Sequence, residues 1–270
     1  MRPVHTLELV AWDLDPYDFR PEGLDREQFV RARQIVAQRP PYTSVSAACE
    51  EEETLELHDM LQQQLSRSSL QAEMHGLDWH LGVIDLRRLL AFQRRLSFDA
   101  TLPSVNVPQP SDWASLMDVS FARPNPVTYD VIHNAAGDKL TLHSSNPNLQ
   151  LKVSKDPASL ISVHTGSPFF EVGCYKGRWF LRDGYHRAYA LLRAGIFQLP
   201  AVIVKAETLQ ELGAVTPWFF SEAVFLSSHP PFVMDFLNES LTIEYDRPTT
   251  IKTVHITMEE SIAVATSKET

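Results

Sequence analysis

The segment Asp183-Gly184-Tyr185-His186-Arg187 puts a carboxylate, a glycine, an imidazole and a guanidinium within five positions, where the chain reads as strand, tight turn and helix start. The first backbone N–H groups of a helix have no intrahelical acceptor, and the helix dipole adds partial positive charge there, so the junction suits an anion. On this reading the loop Gly184-Tyr185-His186-Arg187 holds a phosphate. Gly184 allows the sharp turn and a close approach of the backbone to the ligand. Arg187 grips two oxygens at once. His186 hydrogen-bonds the phosphate or shuttles a proton, since its ordinary pKa lies near neutrality. Asp183 serves as acid–base group or as a magnesium ligand. A carboxylate beside a bound phosphate suits phosphoryl transfer or nucleotide hydrolysis. The expected cofactor is a nucleotide (ATP, ADP or CTP) with magnesium, and the expected enzyme class is a phosphotransferase or nucleotide hydrolase. The pentapeptide has a plainer reading too, as turn punctuation before a helix with a solvated His-Arg pair.

The elements that must position this loop are legible around it. Pro168 to Cys174 is rich in strand formers, Tyr175-Lys176-Gly177 supplies a hairpin turn, and Arg178 to Leu181 returns as a second strand. Ala188, Leu191 and Leu192 share one helical face, with Gly195 where a left-handed cap is expected. Leu199 to Val204 then reads as a buried strand. The spacing predicts a β-β-α-β unit over Phe169 to Val204, with Asp183 to Tyr185 in the turn.

Ser167-Pro168-Phe169-Phe170-Glu171-Val172, the hairpin, Leu181-Arg182-Asp183-Gly184-Tyr185-His186-Arg187-Ala188, and Gly195-Ile196 with Leu199-Pro200-Ala201-Val202 together resemble the ParB/sulfiredoxin superfamily. The resemblance is clearest over 167–204 and extends to roughly 81–206, where Gly82 to Leu90 resembles the first strand and following helix of that core. In ParB proteins the equivalent box is G-E-R-R-x-R-A and binds nucleoside triphosphate. Gly184, Arg187 and Ala190 match it, while Tyr185, His186 and Tyr189 replace the Glu and two of the Arg. In sulfiredoxins the box is G-C-H-R. Gly184, His186 and Arg187 match, but Tyr185 stands where the attacking Cys would be, which excludes sulfinic acid reduction by that route. Free-serine kinases of the superfamily are similar at Asp183, Gly184 and Arg187. The resemblance thus implies a phosphate or nucleotide site, and for some members a nuclease or DNA-binding activity.

Composition limits the partners. The 270 residues carry a net charge of −10, distributed as −8 over residues 1–80, +5 over 81–205 and −7 over 206–270. The only basic segment holds the motif, as expected for a small anionic ligand, whereas acidic flanks repel a long polyanion such as duplex DNA. No apolar run reaches signal-peptide or membrane-span length, so the expectation is a cytoplasmic protein with no membrane association. Cys49 and Cys174 are too few for a disulfide framework and lack metal-site spacing.

Elsewhere the pattern predicts a helix over Leu24 to Gln38 and a longer one from near Glu50 to His75, whose run Glu50-Glu51-Glu52-Glu53 forms a solvated first turn. Thr101 to Trp113 reads as a Pro-rich loop. Val127 to Ile132 and Lys139 to His143 read as a hairpin on which His133 and His143 could face one another as metal ligands, though no third ligand stands at a diagnostic spacing. The aromatic segment 216–236 packs on the core, covers a pocket, or meets a protein partner or second copy. Leu241 to Tyr245 and Thr253 to Thr257 read as a further hairpin.

The expected class is α+β (mixed α/β): a helical N-terminal region over 1–80, a ParB/sulfiredoxin-like core with a small mixed sheet over 81–206, and a C-terminal aromatic segment and β-hairpin over 207–270. Three functions follow in order of support. The first is a nucleotide- or phosphometabolite-binding protein acting at the D-G-Y-H-R loop. The second is a non-catalytic regulatory or protein-interaction protein that retains the fold, suggested by the missing arginines and acidic flanks. The third is a ParB-like nuclease or DNA-binding protein.

Overall fold

A computed structural model describes residues 3–24, 26–49, 55–99, 105–110, 112–123, 128–146, 149–153, 161–164 and 166–261. In chain order the elements are β1 (Val4–Leu9), α1 (Arg26–Ala37), α2 (Leu55–Leu65), α3 (Ser68–Glu73), β2 (Asp78–Asp85), β3 (Arg95–Phe98), α4 (Trp113–Ser120), β4 (Asp130–His133), β5 (Lys139–Ser144), β6 (Gln150–Val153), β7 (Ile161–His164), β8 (Glu171–Tyr175), β9 (Arg178–Asp183), α5 (Tyr185–Arg193), β10 (Gln198–Ala206), α6 (Leu209–Leu212), α7 (Glu222–Phe225), β11 (Thr242–Arg247) and β12 (Lys252–Thr257). Helix and strand contribute comparably, about 27% and 31%, and the class is α+β.

Contacts divide the chain into two compact units, Met1–Asn125 with Ser167–Pro248 and Pro126–Gly166 with Thr249–Thr270. These units cut across the boundaries expected at residues 80 and 206. The first unit holds a mixed sheet in the order β2-β10-β8-β9 and a three-stranded antiparallel sheet in the order β11-β1-β3. In the mixed sheet β10 runs antiparallel to β2 and parallel to β8. The parallel pair is joined through β9 and α5, because strands of the same direction cannot be linked by a tight turn. The second unit contains the sheet β12-β5-β4 and the pair β6-β7.

The β-β-α-β order expected around the motif is present. Lys176 and Gly177 both have positive φ, 48° and 71°, the backbone that a two-residue hairpin of matching twist requires. Tyr185, Ala188, Leu191 and Leu192 of α5 are buried. The helix ends as its sequence indicates: Gly195 N donates to Leu192 O and Ile196 N to Leu191 O, both at 3.0 Å, closing a Schellman cap.

Five expectations along the chain change. The predicted helix from Glu50 to His75 is two helices, α2 and α3, separated at Arg67, whose extended backbone lets its guanidinium donate to Phe121 O (2.6 Å) and Ala122 O (3.3 Å). The break lets Leu57, Leu61, Leu70 and Met74 all enter one core cluster with Phe121 and Phe169. The run Glu50 to Glu53 lies outside the described residues. The Leu-rich stretch after Gly82 is one 3-10 turn, Leu86–Arg88, capped by Asp85, after which Leu90 bonds to both Trp179 O and Leu181 N at the sheet edge. Burial of four consecutive residues, Leu89 to Phe92, suits an extended chain covered on both sides and not one helical face.

The region 1–80 is not only helical, since β1 forms the centre of its sheet. This strand captures β11, and β12 pairs β5, so no hairpin joins Leu241 to Tyr245 with Thr253 to Thr257. Burial explains the choice: five of the six β1 side chains are buried, which gives β11 an apolar partner that the exposed alternation of β12 cannot match. The hairpin of β4 and β5 is present, but its register sets His133 opposite Leu140 and His143 opposite Asp130, so the two imidazoles do not face each other. In the aromatic segment Phe220, Phe225 and Phe236 are core residues, while Trp218 is half-exposed.

Candidate functional site

Strand β9 delivers Asp183 to the sheet edge, and α5 begins two residues later. The pairing of β8 with β9 shifts there, from Val172↔Leu181 to Glu171↔Asp183, leaving Arg182 as the extra residue of a bulge. Gly184 takes φ 104° as the N-cap of α5. A Cβ at that position would lie 2.6 Å from Phe170 Cδ2, so the close approach that demands glycine is made by the Phe170 ring.

Each of the other box residues finds its partners inside the fold. The Tyr185 hydroxyl, buried against Phe92 and Phe236, accepts from Phe92 N (3.1 Å) and Gln93 N (3.3 Å). His186 Nε2 donates to Ser97 O at 2.9 Å, with the ring edge-on to Phe98. Arg187 Nη1 donates to Val119 O (3.1 Å) and Pro168 O (2.8 Å), and Nη2 donates to Phe169 O (2.7 Å). The Nη2 atom also lies 3.5 Å from Asp183 Oδ1. Asp183 Oδ2 accepts from Ser167 N at 3.1 Å. Arg187 therefore ties α5 to α4 and to the segment entering β8, which are far apart in sequence.

The neighbouring cation is committed as well. Arg182 Nη1 donates to Glu171 Oε2, and its Nε donates to Glu211 O at 2.9 Å. Glu171 is fully buried, and its second oxygen, Oε1, has no hydrogen-bond partner among the described residues. Burial raises the Asp183 pKa above the ordinary carboxylate value, opposed by Arg187, the N–H groups of Ser167 and Gly184, and Arg182. Burial likewise works against the charge on Arg187, which Asp183 supports. With Glu171 and Asp183 facing Arg182 and Arg187, this cluster has two charges of each sign.

The structure thus brings Asp183, Gly184, Tyr185, His186 and Arg187 together, but directs all four of their polar side chains onto backbone groups of the fold. Among the described residues no group of three or more His, Cys, Asp or Glu side chains is placed to hold a metal ion. A cleft of about 610 Å³ lies on another face of α5, lined by Tyr189 and Arg193 together with His5, Phe98, Glu239 and Glu244.

Sequence reasoning missed Glu171 and Glu8, each a carboxylate inside an otherwise apolar strand run, a pattern that signals a buried, partnered charge. Glu8 accepts from Arg20 Nη2 (2.6 Å), Arg95 Nη1 (2.7 Å) and Tyr245 Oη (2.8 Å). Asp15 completes the network through Arg95 and Arg20. Burial would raise the Asp15 pKa, but Arg95, Arg94 and Arg20 hold it below its ordinary value.

His186 gives this region a measurable pH signature. Burial lowers its pKa, Arg187 acts in the same direction, and the Ser97 carbonyl opposes them. The folded protein therefore keeps the imidazole neutral at pH values where the unfolded chain, with an ordinary pKa of about 6.5, binds a proton. This contribution to stability is present above about pH 6.5 and is lost as pH falls towards the folded pKa, with a slope of up to about 1.4 kcal/mol per pH unit. Denaturant unfolding of His186→Gln and parent between about pH 7 and 5.5 checks it. The variant is expected to show the shallower decline, and equal slopes would exclude His186 as the titrating group.

No family model, no curated protein and no solved structure matches the chain.

Proposed function

We propose that this is a non-catalytic binding protein, regulatory or interacting in role, in which the D-G-Y-H-R box is a structural staple. The observation that carries this reading is the Arg187 guanidinium, whose two terminal nitrogens donate to three backbone carbonyls at 2.7–3.1 Å. A phosphate at the Gly184 turn would have to displace those bonds and would face Asp183. The cost of leaving buried carbonyls without donors is about 1–3 kcal/mol each. The β-β-α-β order supports kinship with the ParB/sulfiredoxin superfamily as a shared framework, with the phosphate chemistry of that resemblance given up.

A nucleotide or phosphometabolite site with phosphoryl transfer or hydrolysis is the second reading, favoured by the incomplete burial of Asp183 beside the start of α5. Its raised pKa suits an acid–base group. Thermal-shift titrations with ATP, ADP, CTP and phosphorylated metabolites, with and without magnesium, separate the two. A ligand that binds only the folded state raises Tm with the logarithm of its concentration. The staple reading expects a flat response throughout. A concentration-dependent rise that needs Asp183 for magnesium, and is abolished in Asp183→Asn, would overturn it in favour of phosphoryl chemistry.

A further inference from the structure

The cleft beside α5 has the composition of a binding site and takes no part in the staple. Its aromatic floor comes from Phe98 at the end of β3, Tyr189 on the exposed side of α5, and the buried Phe236. Phe98 and Tyr189 pack with ring centroids 5.3 Å apart. Arg193 stands at one wall in the last turn of α5, with its guanidinium 5.7 Å from the Tyr189 ring centroid. That ring is its one partner among the described residues, and Arg193 is exposed. Glu239, also exposed, lines the same cleft without an ion pair among the described residues. Glu244 adds a second carboxylate, 3.6 Å from His5 Nε2.

Two opposite charges thus face one cleft above an aromatic floor, and do not pair with each other. A ligand carrying both signs and an apolar body meets all three features. Its anionic end is held by a guanidinium fork, its cationic end by a carboxylate and by aromatic faces. A volume of about 610 Å³ lies within the range of small-molecule sites and exceeds the needs of a simple ion. A nucleoside triphosphate fits poorly, because one arginine stands against two glutamates.

We propose that this cleft binds a small zwitterion of the amino-acid class with an apolar or aromatic side chain: its carboxylate on Arg193, its ammonium on Glu239, and its side chain on Phe98 and Phe236. The proposal deepens the binding-protein reading and rests on it for biological role, but its site shares no residue with the Asp183–Arg187 box.

Calorimetric and thermal-shift titrations of the full chain with L-phenylalanine and L-leucine, each beside its N-acetyl and its amide form, test this. The expected result is saturable binding of the free amino acids at up to millimolar concentration. Capping either end should weaken binding at least about tenfold, the order expected when one charge-assisted hydrogen bond is removed. Arg193→Gln and Glu239→Gln are exposed substitutions expected to leave the ligand-free Tm unchanged while each lowers affinity by a similar factor. Arg193→Gln should abolish the preference for the free acid over the amide, and Glu239→Gln the preference for the free amine over the N-acetyl form. No binding of either amino acid at millimolar concentration would overturn the proposal, as would binding unaffected by capping or by both variants. Because a nucleotide response would depend on Asp183 and not on Arg193, failure here and failure of the staple reading give different patterns.

Discussion

Arg187→Ala is expected to lower the stability of the first unit by about 3–5 kcal/mol, the range for removing one partner of a buried, hydrogen-bonded charge. Three carbonyls, of Val119, Pro168 and Phe169, lose their donors, and Asp183 loses its nearest cation. The guanidinium also packs over the Phe170 ring, with its carbon 5.6 Å from the centroid, so truncation removes packing as well as charge. At about 2–4 °C per kcal/mol for a unit of this size, Tm should fall by roughly 6–20 °C. Arg187→Lys keeps the charge, but its single nitrogen cannot stand at both positions from which Nη1 and Nη2 reach the three carbonyls, so an intermediate loss is expected. A phosphate clamp standing free in its site would behave differently, because its removal costs affinity and spares the apo fold. Tm within about 2 °C of the parent for Arg187→Ala would therefore remove the staple reading.

Glu8→Ala is expected to cost a comparable amount, about 3–5 kcal/mol, for a related reason. Glu8 is fully buried near the C-terminal end of β1, where Arg20, Arg95 and the Tyr245 hydroxyl converge on it. Its removal leaves two guanidinium groups to share Asp15 and leaves a buried phenol without its acceptor. The Tyr245→Phe change alone should cost about 1 kcal/mol, the ordinary net value of a hydrogen bond. In a double-mutant cycle the two changes should be non-additive by about 0.5–3 kcal/mol, since both act on one contact. Denaturant midpoints of the two single variants and the double variant supply the test. A loss below about 1 kcal/mol for Glu8→Ala, or strict additivity, would mean that the network contributes no more than a surface ion pair.

The contrast between these two sites shows what could be read in advance. The β-β-α-β unit was legible because its signals are local: Lys176-Gly177 for the turn, the Ala188, Leu191 and Leu192 face, and Gly195 for the cap. The start of α5 next to Gly184 was legible for the same reason. The partners of Arg187 were not, because Val119 is 68 residues away and reaches it only after α4 has packed. The pairing of β11 with β1 joins the two ends of a unit across more than 230 residues, and no local pattern distinguishes that partner from β12. An acceptor supplied by the backbone leaves no mark on residue type, so a guanidinium that binds carbonyls looks in sequence like one that binds phosphate.

By itself, then, the sequence determined the α+β class, the order of elements around the motif and the glycine turn, since periodicity and φ preference act within a few residues. Only the tertiary structure decided that the glycine answers the Phe170 ring, that Arg187 meets carbonyls, and that Arg193 and Glu239 share a cleft. Those outcomes depend on which distant groups are brought within hydrogen-bonding or van der Waals distance, and long-range packing sets that distance.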